Sequence, residues 1–330
     1  MQNKAEFIVA LFAALLLFLL LAARVQAAEQ FPGKEFKTQL ISDISTILLE
    51  RYVYADRAQV AVNELNHRLE TGYFDAVDDP QILAYRITGI LDVISDLHLW
   101  VNYHADAIPE DYNYLEPTPE QAQQQAELLR ARNYGFGDVE VLDGNIGYIE
   151  LRDFFYAAGS SEALLAEAMT AVRSTDALVI DLRRNGGGSP EMVSLFLSYL
   201  LPLNTAVGSL QYRQPVKIES YGTLGAIDGP HYGDDRPVFI LLSNGTFSAA
   251  EAFSYALQVR ERATLVGERT NGGAHVFDNV RLHPHYMLAV PVARSIDAVT
   301  NSNWQYVGVR PDHATSAEEA LDFALETLRR

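Results

Sequence analysis

Residues 177–201 read ALVIDLRRNGGGSPEMVSLFLSYLL, and residues 238–259 read VFILLSNGTFSAAEAFSYALQV. Each opens as a short apolar run, breaks at a cluster of small and polar residues, and resumes as a longer apolar segment. A continuous apolar run of about five or six residues is the pattern of a strand buried on both faces, and the longer segment predicts a helix. Further strands are expected at 146–151, 263–267 and 287–293, with a helix at 161–173. Short strands alternating with helices define an α/β sheet domain.

Upstream the texture is different. Phe36, Leu40, Ile44, Ile47 and Leu48 recur at helical spacing, and a second helix is expected over 57–70. A third starts after Asp79-Pro80, a cap followed by a first-turn proline, with Ile82, Leu83, Ile87, Ile90, Leu91 and Ile94 on one face. Residues 106–117 form a linker rich in Pro, Asp and Tyr, and Thr118-Pro119-Glu120-Gln121 opens another helix with a capping-box pattern. The expected organisation is a helical N-terminal domain with its linker over 28–117 and an α/β catalytic domain over 118–330.

The N-terminus reads as an address. Lys4 precedes an apolar run from Phe7 to Ala23, and Val25-Gln26-Ala27 supplies small residues at a cleavage site. This is the layout of a secretory signal over residues 1–27, which predicts an exported protein, periplasmic or extracellular. An uncleaved membrane anchor is the rival reading.

Composition narrows the chemistry. The chain of 330 residues is 48% hydrophobic and 21% charged, a globular balance. Its net charge of −18 repels phosphate backbones and anionic lipid, so nucleic acid is not an expected partner. There is no cysteine, which removes disulfides, thiolate metal sites and a thiol nucleophile. Lysine occurs only at Lys4, Lys34, Lys37 and Lys217.

The two strand–loop–helix units carry candidate chemistry. Gly186-Gly187-Gly188 allows positive φ, close backbone approach and an anion nest at the helix start. No phosphate-loop spacing accompanies it, and a plain tight turn explains it equally well. Ser248 falls at the other strand-to-helix turn, where a hydroxyl is lifted above the sheet as in a nucleophile elbow, although GxSxG is absent. Ser248 followed by Glu251 is also an ordinary capping box, and on that segment alone the cap is the better reading. Together the units are more specific, because a serine nucleophile needs an oxyanion hole of backbone donors. Gly187 or Gly188 and the N–H of Ala249 are placed to supply one.

DLRRNGGG (181–188), TFSAAE (246–251), GERTNGGA (267–274) and NWQYVGVRPD (303–312) resemble, in that order, the tail-specific or C-terminal processing peptidases, serine peptidase family forty-one. The likeness is to the branch containing the tricorn protease core and the interphotoreceptor retinoid-binding protein modules, and it covers roughly residues 35–325. It implies a crotonase-like (ClpP/crotonase) α/β core behind a helical N-terminal domain, with the site between the two. It also implies serine-type peptidase activity on proteins or peptides, with no cofactor.

Members of this family activate serine with a lysine about 25 positions onward or with a histidine and an acidic partner. Here the lysine position falls on Gly273, and no lysine follows Lys217. The base should therefore be histidine, and the resemblance points to His98 in Ser95-Asp96-Leu97-His98-Leu99, with His275 as runner-up and His104 third. His283-Pro284-His285 lacks carboxylate partners, so no metal is expected. The related motif has Glu where this chain has Gln305 after Asn303-Trp304. A glutamine can hold the histidine ring but cannot stabilise its cation by charge. In serine proteases the Asp→Asn change in this role lowers kcat by about 10⁴. Gln305 thus either suffices at reduced activity, or is replaced by a nearby carboxylate such as Asp96, or marks a relative that binds an apolar ligand without hydrolysis.

Overall fold

The computed structural model describes residues 33–112 and 118–329. The expected signal segment and residues 113–117, the end of the expected linker, lie outside the described residues. In chain order, three helices come first: α1 (Lys34–Arg51), α2 (Ala55–Glu70) and α3 (Pro80–Leu91). A short strand β1 (Trp100–Tyr103) follows, then α4 (Pro119–Ala131) and the hairpin β2 (Phe136–Leu142) and β3 (Ile146–Leu151). Next come α5 (Ser160–Ala171), β4 (Ala177–Asp181), α6 (Pro190–Ser198), and the hairpin β5 (Ala206–Tyr212) and β6 (Lys217–Gly222). The chain continues with β7 (Val238–Leu242), α7 (Ala249–Gln258), β8 (Thr264–Gly267), β9 (His275–His283), β10 (Tyr286–Asp297), β11 (His313–Ala314) and α8 (Ala320–Leu328).

Six strands form one sheet in the order β11-β8-β7-β4-β3-β2, parallel except for β2. The runs read as doubly buried strands are that: every residue of β3, β4 and β7 is buried. Side chains alternate between two faces, as a period of two requires. Leu178, Ile180, Ile240 and Leu242 pack under α5, α6 and α7 with Leu165, Met169, Phe196 and Phe253. Val179, Phe239 and Leu241 face the other way, against Ala320 and Ala324 of α8. Because β4 and β7 are paired in register, with Asp181 opposite Leu241, their following loops emerge side by side. That carboxyl edge is where ligands sit on parallel sheets.

The N-terminal helices do not close on themselves. Asp79 starts α3 as expected, its Oδ1 accepting from the N–H groups of Gln81 and Ile82 at 2.8 and 2.9 Å. The apolar face so presented meets a second, antiparallel sheet built around β10, which pairs with β1, β5 and β9. Leu40, Ile44, Leu48 and Leu65 share one core with Leu288, Val290 and Val292 of β10. β1 itself comes from the segment read as helical, and Val101 lies opposite Leu288. At four residues it is too short to show a period of its own. The N-terminal layer is therefore pinned, by pairing and by packing, to strands about 200 residues further on.

Leu288, fully buried where β1 and the helices meet, provides a test of that shared core. Leu288→Ala is expected to cost about 2–5 kcal/mol. In urea unfolding, far-UV and tryptophan signals should move together to a lower midpoint.

Candidate active site

Ser248 sits between β7 and α7 with φ 55° and ψ −115°, a conformation that non-glycine residues rarely adopt. The surroundings over-determine it. Thr246, fully buried, donates to Leu182 O at 2.8 Å and accepts from Ser243 N–H at 3.0 Å. Phe247 N–H donates to Asn185 O at 3.0 Å, and Ser248 N–H donates to Glu251 Oε2 at 2.9 Å. The loops after β4 and β7 thus hold each other, and the strained turn exposes the Ser248 hydroxyl at the head of a cleft of about 820 Å³.

The glycine loop lies against this turn. Gly187 and Gly188 have φ of 115° and 141°. A Cβ on Gly187 would stand 2.8 Å from Ser248 Cβ, and one on Gly188 would stand 2.3 Å from Phe154 O, so neither position has room for a side chain. The two glycines are not equivalent. Gly187 is buried, and its N–H already donates to Asn185 Oδ1 at 2.9 Å. Gly188 lines the cleft together with Ala249, the first residue of α7. Of the donors expected from sequence, Gly188 and Ala249 face the reacting space, and Gly187 builds the loop that carries them.

His98 Nε2 lies 3.1 Å from Ser248 Oγ. The ring is buried and stacked between Phe247 and Phe277, with centroids 4.6 and 5.4 Å away. Burial drives its pKa down to about 4; the Asp96 charge pulls it back up, and His275 adds to the lowering. A Cβ on Gly273 would stand 2.7 Å from His98 Cε1 and 2.3 Å from Phe247 Cε2. The space that a lysine at position 273 would need is filled by the imidazole and its stacking partner. Lys217, the last lysine in the chain, is on β6 in an ion pair with Glu219.

Gln305 is buried beside the cleft-lining Trp304, but its amide does not bond His98. Gln305 Oε1 accepts from Ala274 N–H at 2.6 Å, and its Nε2 has no partner among the described residues. The neighbouring Trp304 donates from Nε1 to Gly273 O at 3.0 Å. The Asn303-Trp304-Gln305 stretch therefore grips the backbone of 273–274, against which His98 packs. His98 Nδ1, where an orienting acid was expected, has no hydrogen bond among the described residues.

Two features escaped the sequence reading. Glu251 is a cap and more: besides Ser248 N–H it accepts from Thr270 Oγ1, Gly272 N–H and Gly273 N–H at 2.5, 2.7 and 2.9 Å. Burial pushes its carboxyl above the ordinary range, and these four donors act against that shift. The signal for it was the S-x-x-E spacing itself, which showed the cap and nothing of the loop. The other feature is the aromatic cleft wall, in which Trp100, Phe155 with Tyr156, and Phe277 come together from three separate segments. Among the described residues no group of three His, Cys, Asp or Glu side chains could hold a metal ion. His104 is outside the site, its carbonyl accepting from His285 Nδ1.

A strained serine on a strand-to-helix turn, backbed by a glycine nest and touched by a buried histidine, is the layout of a serine hydrolase site. The model of Peptidase family S41 matches residues 145–315, just over half of the chain, and the protein belongs to that family. The carboxyl-terminal-processing protease of Synechocystis sp. is 32% identical over 180 residues, which are 54% of this chain and 40% of that protein. The chain thus spans less than half the length of this curated relative. The photosystem II D1 C-terminal processing protease superposes with a TM-score of 0.53 at 17% identity, covering 89% of this chain and 97% of that one. The tricorn protease superposes with a TM-score of 0.52 at 14% identity, covering 89% of this chain and 37% of that one. At these identities the structures show likeness of fold. The apolar-ligand alternative finds no support in these relatives.

The depressed His98 pKa has two measurable consequences. An NMR titration should place its midpoint near 4, and a midpoint near the unperturbed 6.5 would contradict the burial. As pH falls from about 6.5 to about 4, the unfolded chain protonates this residue before the folded one does, so stability should decline across that window.

Proposed function

We propose that this chain is an exported serine peptidase that hydrolyses peptide bonds in proteins or peptides, on a crotonase-like α/β core. The observation that carries the reading is the 3.1 Å approach of His98 Nε2 to the Oγ of a serine in a strained elbow. Ser248 Oγ attacks the peptide carbonyl while His98 Nε2 takes its proton. The oxyanion is met by the N–H groups of Gly188 and Ala249. Collapse of the tetrahedral adduct expels the amine, which leaves with the proton from His98. Water, deprotonated by the same nitrogen, then releases the acyl group from Ser248. Gln305 acts at one remove by fixing Ala274 beside the base. Export rests on the signal-like residues 1–27; no helix among the described residues is long and apolar enough to cross a membrane.

A fluorophosphonate probe should form a covalent adduct on Ser248 of the folded protein, lost in Ser248→Ala and His98→Ala. Absence of an adduct at high reagent would overturn the proposal. Gly273→Ala, which drives a methyl into His98 and Phe247, should lower the labelling rate by at least about tenfold, since small displacements of a base cost that much or more. Labelling at the wild-type rate would show that the packing against Gly273 does not position the base.

A further inference from the structure

His98 accepts a proton during the proposed reaction in a pocket that disfavours charge, and its Nδ1 meets no acid among the described residues. We propose that the acid supporting His98 is Asp96, held in place by His275 and Tyr52 and standing in for a carboxylate at position 305. The proposal rests on the serine peptidase reading.

Asp96 is 2% exposed. Its Oδ1 accepts from the backbone N–H of His98 at 3.1 Å, a side-chain bond to the residue two positions on that closes the turn presenting the imidazole. Its Oδ2 accepts from Tyr52 O–H at 2.8 Å and faces His275 Nδ1 at 2.7 Å. Ser95, in the left-handed region at φ 53°, turns the chain out of the short helical turn after α3 and into this arrangement. Asp96 therefore ties together the residue that carries the base, the helix α1 boundary at Tyr52, and the first residue of β9. Gly273, which packs against His98, lies two positions before His275, so the base is approached from both sides by segments that one carboxylate holds.

The donor set also fixes its charge. Burial alone would raise the Asp96 carboxyl, but the bonds from His275, Tyr52 and the His98 N–H hold it below its usual value. Tyr52 and Tyr306 are themselves pushed upward by burial, so they stay neutral. The guanidinium of Arg57 lies 4.3 Å from the centre of the Tyr306 ring, and the Tyr54 ring meets His275 edge-on at 5.5 Å. The guanidinium of Arg294 lies 5.7 Å from the centre of that Tyr54 ring, so facing the pair are one anion, two imidazoles and two guanidiniums, each behind a phenol. Asp96 favours the His98 cation, whereas His275 opposes it. His275 lines the same cleft with Nε2 unpartnered among the described residues, while its Nδ1 faces the Asp96 carboxylate as a donor.

Asp96 and His275 are positioning residues on this reading, and their signatures differ in sign. The rate of fluorophosphonate attachment to Ser248 would be followed from about pH 2.5 to 8, so that a limb below the wild-type midpoint near 4 stays in view. Asp96→Asn should lower the plateau about 10- to 100-fold, less than the ~10⁴ found where the acid bonds the ring directly, and should move the acid limb to lower pH. His275→Asn, whose amide can still reach Asp96, should move the acid limb to higher pH. A role limited to holding the fold would not produce opposite shifts. A wild-type plateau and acid limb in Asp96→Asn, or an unmoved limb in His275→Asn, overturns the proposal. Should Asp96→Asn not fold, nitrogen NMR of the unsubstituted protein decides: His275 is expected to carry its proton on Nδ1, and the opposite tautomer refutes the pair. If wild-type protein takes no label at any pH, the peptidase reading fails instead.

Discussion

The buried carboxylate of Glu251 is the tie on which the rest of the site depends. Its four bonds join the turn bearing Ser248 to the 270–273 loop. An unpaired carboxylate could not remain in that position, because desolvation of a lone charge costs several kcal/mol. The loop cannot move away without exposing that cost, nor can the serine turn relax. Held there, Gly273 becomes the floor for His98, and the distance from His98 to Ser248 follows.

Three parts of the chain meet over this tie. The parallel sheet delivers Gly188 and Ser248, because β4 and β7 are adjacent and end together. The antiparallel sheet delivers Phe277 and His275 at the head of β9. The N-terminal layer delivers His98 between α3 and β1, and the pairing of β1 with β10 sets where that layer stands. No one part contains both Ser248 and His98, the proposed nucleophile and base. The shared core of α1, α2 and β10 is thus a condition for chemistry as well as for stability.

Much of this was legible beforehand, and the reasons are specific. The strands β3, β4 and β7 are continuous apolar runs, and Asp79-Pro80 is a strong helix start, so their limits were read within a residue or two. Motif order pointed to Ser248 and His98, and the structure brings the two into contact. The second sheet was largely invisible, because β1 is short and β9, HVFDNVRLH, mixes polar and apolar residues without alternation. Gly187 and Gly188 could not be told apart in a run of three glycines, since the bond to Asn185, the burial and the cleft lining that separate them are set by the tertiary fold. Gln305 was expected on the histidine, but the Ala274 amide is its partner.

What the sequence determined alone was a set of types and exclusions. The absence of cysteine excluded a thiol nucleophile, and the absence of lysine beyond Lys217, set beside the family resemblance, turned attention to Ser248 and the histidines. Local spacing was enough for this, because strand, turn and cap preferences act over a few residues. Which acid attends the base was decided only in three dimensions. Asp96 and His275 are 179 positions apart, and Tyr52 is 44 from Asp96. Nothing in local spacing ties residues so distant, and their meeting depends on a strand pairing and a packed core that form only when the whole chain folds.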